Sequence, residues 1–362
     1  MKFLASGFVA ILGVLVFIVL VLTVQRISMQ GVDPLVAEAR EMAAEDAVAP
    51  ELAALDRDLS RIGGTFPGEV GIAVEAVATG EGAHHDGLSL YPQQSVTKLW
   101  VAMAALAQAD AVELSLDEPV TIRRRDLTVF HQPLRRIVLA RGSYTGTLAD
   151  MMERAITRSD NTANDQLLQR VGGPDAVEAF LEGANLGSIR FGSDERTKQS
   201  RIAGLEWRPS YSIGPAFFDA RDEVPQARRR VAFEDYLADP EDGAPPVAVA
   251  AALARLARGE LLSDASTALL LNTLAQTRSG PRRLKGGLPE GWSIAHKTGT
   301  GQVLDPEQSG YNDVGILTAP DGARYAVAVM IARTAAPVSD RQAMMHEVVG
   351  AVARFHDARD GG

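Results

Sequence analysis

Three short runs of this chain carry the residue types that acyl transfer needs. The first is Ser95-Val96-Thr97-Lys98. Serine and lysine three apart on a helix share a face. A serine hydroxyl is a poor nucleophile until a neighbouring base takes its proton, and a desolvated lysine can be that base. A helix N-terminus adds a positive dipole end where an oxyanion would form. Taken alone the spacing is weak evidence, because capping serines produce it too. The second run, Ser159-Asp160-Asn161, falls between two helical patterns. There a hydroxyl and a carboxamide can face a cleft, although all three types are also preferred helix caps. The third, Lys297-Thr298-Gly299-Thr300-Gly301, closes a strand-like run. Its lysine and threonine suit an anionic group, its glycines allow close backbone approach, and the backbone N–H of Thr300 could join that of Ser95 around an oxyanion. By itself it also reads as a plain turn.

Together, and in this order, the three runs resemble the motif set of class A β-lactamases and penicillin-binding proteins. The likeness extends to Thr162-Ala163-Asn164, Leu167-Leu168, Val171-Gly172-Gly173-Pro174, Gly259–Ser263 and Ser279–Trp292, and covers about residues 50–358. The resemblance implies that Ser95 is acylated, that Lys98 helps to deprotonate it, and that Ser159 passes a proton to the departing nitrogen. It implies that Asn161 bonds the substrate's side-chain amide and that Lys297 and Thr298 hold its carboxylate. An additional arginine for that carboxylate points to Arg283, against the reading of an ordinary surface arginine; the alternative strand position holds Asn312 or Asp313. For ester hydrolysis the family uses a glutamate holding a water, which here falls on Glu195, with Gln199 four residues on. The usual proline after the glutamate is missing, and Asp194 and Glu206 are rival carboxylates.

Three functions follow from that uncertainty. A poised Glu195 makes the chain a serine hydrolase that opens β-lactams. Without one it would be a penicillin-binding peptidase, acting on the D-Ala-D-Ala end of peptidoglycan stems and trapped by β-lactams. A tethered binding domain without turnover is the third. No metal or organic cofactor is required in any of them.

These residues need elements to hold them. Leu52, Leu55, Leu59 and Ile62 share one face of an amphipathic helix. Glu69–Val77 reads as a strand, with Gly80, Gly82 and Gly87 punctuating a hairpin. Lys98–Ala107 is apolar enough after its lysine to be buried all round. Helical runs recur at 147–157, 163–171, 174–183, 247–258 and 264–278. Residues 200–245, broken by Pro209, Pro215, Pro225, Pro240, Pro245 and Pro246, read as a partly irregular excursion. Trp292–Thr298, Asp313–Ala319 and Ala323–Ala332 read as strands, and about Asp340–His356 as a closing helix. The expected fold is α+β: an antiparallel five-stranded sheet built from both ends of the chain and flanked by helices, with a helical subdomain inserted at about 95–280.

Composition and termini bound the setting. Across 362 residues, 46% hydrophobic and 23% charged residues describe a globular protein. A net charge of −10 argues against nucleic acid as a partner; the basic runs 123–125 and 228–230 read as solvated surface. The absence of cysteine excludes disulfides, thiolate nucleophiles and cysteine-based zinc sites. His84-His85-Asp86 reads as a turn. Phe3 to Val24 runs uncharged over a helical length of roughly 30 Å, a bilayer core. With no small-x-small site after it, residues 1–26 read as an uncleaved anchor in the inner membrane rather than a removed signal, and 27–49 as a tether. Lys2 against Arg26 does not orient the anchor, but cell-wall stems and β-lactams place the catalytic body in the periplasm, expected there as a monomer.

Overall fold

The computed structural model describes residues 49–360. The apolar run 3–24 and nearly all of the tether lie outside the described residues. Among the described residues no helix is long and apolar enough to cross a membrane. Among the described residues, those from Glu51 onward form one unit that holds the sheet.

In chain order the elements are helix α1 (Pro50–Thr65), strands β1 (Gly68–Ala76), β2 (Gly82–His85) and β3 (Tyr91–Pro92), helix α2 (Lys98–Asp110) and strand β4 (Pro119–Arg123). Helix α3 (Leu134–Arg141), strand β5 (Ser143–Thr147), and helices α4 (Leu148–Thr157), α5 (Asn161–Val171), α6 (Pro174–Gly183) and α7 (Glu195–Ile202) follow. Next come α8 (Ala216–Glu223), α9 (Gln226–Ala238), strand β6 (Gly243–Ala244), and helices α10 (Pro246–Ala257) and α11 (Asp264–Ala275). Strands β7 (Ser293–Thr300), β8 (Val303–Leu304), β9 (Glu307–Ser309), β10 (Tyr311–Thr318) and β11 (Arg324–Thr334) lead to helix α12 (Val338–Asp360).

The sheet order β2-β1-β11-β10-β7 is antiparallel throughout and gives the five strands expected. Two short strands extend it: β11 outruns β10, and its end pairs with β9, which pairs in turn with β8. Alternation along the central strands sends side chains to both faces. Val70, Ile72 and Val74 of β1, with Val327, Val329 and Ile331 of β11, meet Leu55, Leu59 and Ile62 of α1 and Val348, Val349 and Val352 of α12. On the opposite face Ala73, Ala326, Ala328 and Met330 join Val249 and Leu253 of α10 and Trp100 of α2 in the larger core. Both faces are covered, so β11 is buried along most of its length. From Lys98 to Leu106 every residue of α2 is buried, as its composition predicts.

The structure corrects three expectations. Residues 200–245 are mostly helical, containing a 3-10 turn (Pro209–Ser212), α8 and α9. The prolines taken as interruptions are starts: Pro209 opens the turn, Pro215 and Pro225 are the N-caps of α8 and α9, and Pro246 is the first residue of α10. At a helix start the missing N–H costs nothing and the fixed φ is already helical. Second, His84 and His85 end β2 rather than forming a turn, which begins at Asp86, φ +41°. Third, Ser95 lies in a 3-10 turn (Gln94–Thr97) running straight into α2, so the α-helix proper starts at Lys98.

Candidate active site

The end of β7 and the turn carrying Ser95 meet because Gly299 has no side chain. A Cβ there would lie 2.3 Å from the carbonyl oxygen of Gln93. Asn312, on the neighbouring strand, locks the junction: its Nδ2 donates to Pro92 O (2.7 Å) and Gln93 O (3.1 Å). Of the two strand positions weighed for a carboxylate ligand, Asn312 is thus occupied with backbone. Asp313 accepts from His296 Nδ1 (2.8 Å) and Leu284 N (3.1 Å).

Lys98 is wholly buried, and its Nζ donates to Ser95 Oγ at 2.9 Å. On its other side it lies 3.5 Å from Glu195 Oε2. Glu195 opens α7, and Asp194 before it is the cap, accepting from Thr197 N at 2.8 Å. Glu206 is exposed. Of these three carboxylates, Glu195 is the one that lines the cleft. Gln199 Nε2 donates to Glu195 Oε1 at 3.0 Å.

Ser159 sits between α4 and α5 with φ +54°, a conformation few non-glycine residues adopt. Its Oγ accepts from Lys297 Nζ at 3.0 Å. The cap reading of Ser159-Asp160-Asn161 holds for the middle residue: Asp160 accepts from Ala163 N (3.1 Å) and Leu134 N (2.7 Å). That fixes the connection while its neighbours face the cleft. Asn161 Nδ2 donates to Val129 O at 2.9 Å.

Arg283 is 6% exposed, so the surface reading fails. It lies over the Tyr311 ring at 3.7 Å and donates to Gly299 O (2.8 Å), Asn312 O (2.6 Å) and Thr300 Oγ1 (2.5 Å). It therefore braces the end of β7 from beneath.

Seven of the nine residues singled out from the sequence line one cleft of about 680 Å³: Ser95, Ser159, Asn161, Glu195, Arg283, Thr298 and Thr300. Lys98 and Lys297 stand buried behind it, each bonded to one of the two serines. The cleft also takes residues that no sequence pattern marked. Phe130 and His131 come from the stretch leading into α3, Arg135 from α3 itself, and Phe218 from α8. Ser279, by contrast, opens the run 279–292 that carries part of the resemblance, and its Oγ lies 2.7 Å from Thr298 Oγ1; Gln302 directly follows the third motif.

Burial dominates the electrostatics. It pushes the Lys297 amine well below its ordinary value, and the charges of Lys98 and Arg283 push the same way. Lys98 is lowered by burial and by Lys198, against the pull of Glu195. Burial alone would raise the Glu195 carboxyl, but Lys98, Lys198 and the Gln199 bond outweigh it and hold it below the usual range. The site thus pairs amines inclined to be neutral with a carboxylate inclined to be charged, the combination a base-assisted serine requires. Among the described residues no group of three or more metal-ligating side chains is arranged to hold an ion.

A family model described as the β-lactamase enzyme family matches residues 54–354. The extended-spectrum β-lactamase PER-1 of Pseudomonas aeruginosa is 28% identical over 266 residues, 73% of this chain and 75% of that one. β-Lactamase VEB-1, also of Pseudomonas aeruginosa, is 26% identical, covering 67% of this chain and 71% of that one. Among solved structures, a β-lactamase from Chitinophaga pinensis superposes with a TM-score of 0.68 at 26% identity, over 84% of this chain and 99% of that one.

Proposed function

Since this chain belongs to the β-lactamase enzyme family, we propose that it opens β-lactam rings through an acyl-enzyme on Ser95. The observation that carries this reading is Lys98 Nζ, placed between Ser95 Oγ (2.9 Å) and Glu195 Oε2 (3.5 Å).

Ser95 Oγ attacks the lactam carbonyl as Lys98, or Glu195 beyond it, takes the hydroxyl proton. The N–H groups of Ser95 and Thr300 receive the developing oxyanion. The carbon–nitrogen bond breaks, and Ser159 Oγ delivers its proton to the nitrogen and is replenished with the proton released from Ser95, so that Lys98 and Glu195 end the step as they began it. Lys297, Thr298 and Arg283 attract the substrate carboxylate, and Asn161 binds the side-chain amide. A water deprotonated by Glu195 then attacks the ester, and Ser95 leaves with its proton restored. The segment 200–245 reads as an extension of the loop after the second motif, bringing Phe218 to the substrate's side chain. Residues 3–24 read as a membrane anchor that holds the body, as a monomer, on the extracytoplasmic side; fractionation, protease accessibility and sedimentation test this.

Residues 31–362, given a chromogenic cephalosporin and a fluorescent penicillin, test the chemistry. Steady turnover is expected, and Ser95→Ala abolishes both turnover and labelling, a loss of at least about 1,000-fold. A stable adduct on the unmutated protein would make it a penicillin-trapped peptidase instead, and no adduct would leave a binding domain. Labelling that survives Ser95→Ala sinks the nucleophile.

A further inference from the structure

Gln94, immediately before the nucleophile, turns its side chain away from the cleft into a closed ring of buried polar groups. Gln199 Nε2 donates to Glu195 Oε1 (3.0 Å) and to Gln94 Oε1 (2.9 Å). Gln94 Nε2 donates to Tyr236 OH (2.6 Å), which donates to Asp242 Oδ1 (2.9 Å). Asp242 Oδ2 accepts from Lys198 Nζ (3.0 Å), and Lys198 Nζ lies 3.9 Å from Glu195 Oε2, where the ring closes. All six residues are more than nine-tenths buried.

Direction around this ring is fixed from one end. Asp242, paired with Lys198, only accepts, so Tyr236 must donate to it. The phenol oxygen then faces Gln94 as an acceptor, which turns the Gln94 amide group towards it and the Gln94 oxygen towards Gln199. Gln199 consequently presents its own amide group, whose second hydrogen reaches Glu195. Gln302 Nε2, donating to Gln199 Oε1 at 3.0 Å, enforces the same orientation from outside the ring.

We propose that Tyr236 is a positioning residue for the Glu195 carboxylate, its hydroxyl setting which end of the Gln94 carboxamide meets Gln199 and, through it, which end of the Gln199 carboxamide meets Glu195. The link to turnover rests on the reading of Glu195 as the deacylation base. Removing the hydroxyl leaves the Gln94 amide group buried without a partner. It regains one by turning to Asp242, which draws its oxygen from Gln199 and loosens the donor on Glu195. The charges that reach Glu195 are Lys98 of α2, Lys198 of α7, Asp165 of α5 and Lys297 of β7; Arg196 and the capping Asp194 act on Asp165, and Asp242 ahead of β6 acts on Lys198. Tyr236 is held neutral, its hydroxyl raised well above the ordinary value by burial and Asp242. Tyr236→Phe therefore changes no charge, and any shift in Glu195 reads the hydrogen bonds.

The test titrates Glu195 in the full chain and in Tyr236→Phe by the infrared band of isotope-labelled glutamate, subtracting Glu195→Gln, beside the pH profile of deacylation. The variant should titrate about one pH unit higher, losing about tenfold in deacylation on the acidic side and nothing on the alkaline plateau. A folded variant with unchanged titration and acidic limb overturns the proposal. A shifted titration in a protein that does not turn over β-lactams supports the positioning role and removes the deacylation reading, so the two failures are distinct. Should Tyr236→Phe not fold, the side-chain amide protons of Gln94 and Gln199 in the unmutated protein decide. Slow exchange supports donation to Tyr236 and Glu195, and rapid exchange overturns it.

Discussion

The floor and the rim of the cleft are built by different rules. On the floor, Lys98, Lys297, Glu195 and Gln199 are buried, and each has a partner distant in sequence: Lys98 meets Glu195, Lys297 meets Ser159 and Gln199 meets Gln94. Along the rim, Phe130 and Phe218 touch edge-to-face at 5.6 Å, Phe218 is 41% exposed, and Arg135 forms no ion pair among the described residues. Desolvation makes each floor bond strong and each lost partner costly. The rim, facing water, is free to vary with what it binds. A floor substitution should therefore cost the same for every substrate, and a rim substitution should cost according to the substrate.

The largest effect belongs to Glu195. Glu195→Gln should lower turnover by about 100- to 10,000-fold while acylation continues, so mass spectrometry should find the ester accumulating with every β-lactam tried. Because Lys98 and Lys198 hold the unmutated carboxyl low against burial, Glu195 stays ionised as pH falls to its ordinary value of 4.5, and the acidic limb of deacylation lies lower still. A limb near neutrality would show that burial, not the lysines, governs the floor.

Asp165 sharpens the contrast from within. Beneath the floor, both its oxygens lack a hydrogen-bond partner, and the nearest Arg196 nitrogen is 3.7 Å away. Burial, with Asp194 and Glu195, pushes its carboxyl from 3.8 up to about 7. The folded protein holds that proton more tightly than the unfolded chain, so Asp165 costs stability increasingly as pH rises from about 4 to about 7. Asp165→Asn should raise the melting temperature relative to the parent at pH 8 and lose that advantage at pH 4. An equal gain at both would refute the charge argument.

The smallest effect is expected at the rim. Phe218→Ala should raise KM up to about tenfold for β-lactams with aromatic side chains, leaving side-chain-free nuclei and thermal stability unaffected. A uniform loss across both would mean that α8 serves the floor after all.

Much of the floor was legible because it is written in short runs. Ser95 and Lys98 are three apart, Lys297 to Thr300 are continuous, and the first run opens a periodic element while the second closes one. The strands flanking them follow apolar patterning, so Glu69–Val77 as read differs from Gly68–Ala76 as found by one residue at each end. The helix α3 and the antiparallel pair of β4 and β5 on either side of it escaped notice, being short and mixed in polarity. Helices α8 and α9 were hidden behind prolines that begin rather than break them. The ring joining Gln94, Glu195, Lys198, Gln199, Tyr236 and Asp242 has no local signature beyond the spacing of its three α7 members, because Gln94 and Asp242 lie far apart in sequence, next to β3 and β6, which pair with Tyr91 opposite Ala244. Arg283 was identified by position alone, and its stacking on Tyr311 was beyond any one-dimensional pattern.

The pairing of β1 with β11 also sets a timetable for biosynthesis. Apart from the short β2, the neighbour of β1 in the sheet is β11, which ends at Thr334. The nucleophile at residue 95 leaves the ribosome long before the strands that brace it, and Lys297 with its glycines emerges between the two. A growing or truncated chain thus carries an inert serine, and reactivity switches on only near completion of synthesis. Acylation by a fluorescent penicillin would then report completed folding, not merely translation of the residue that is labelled.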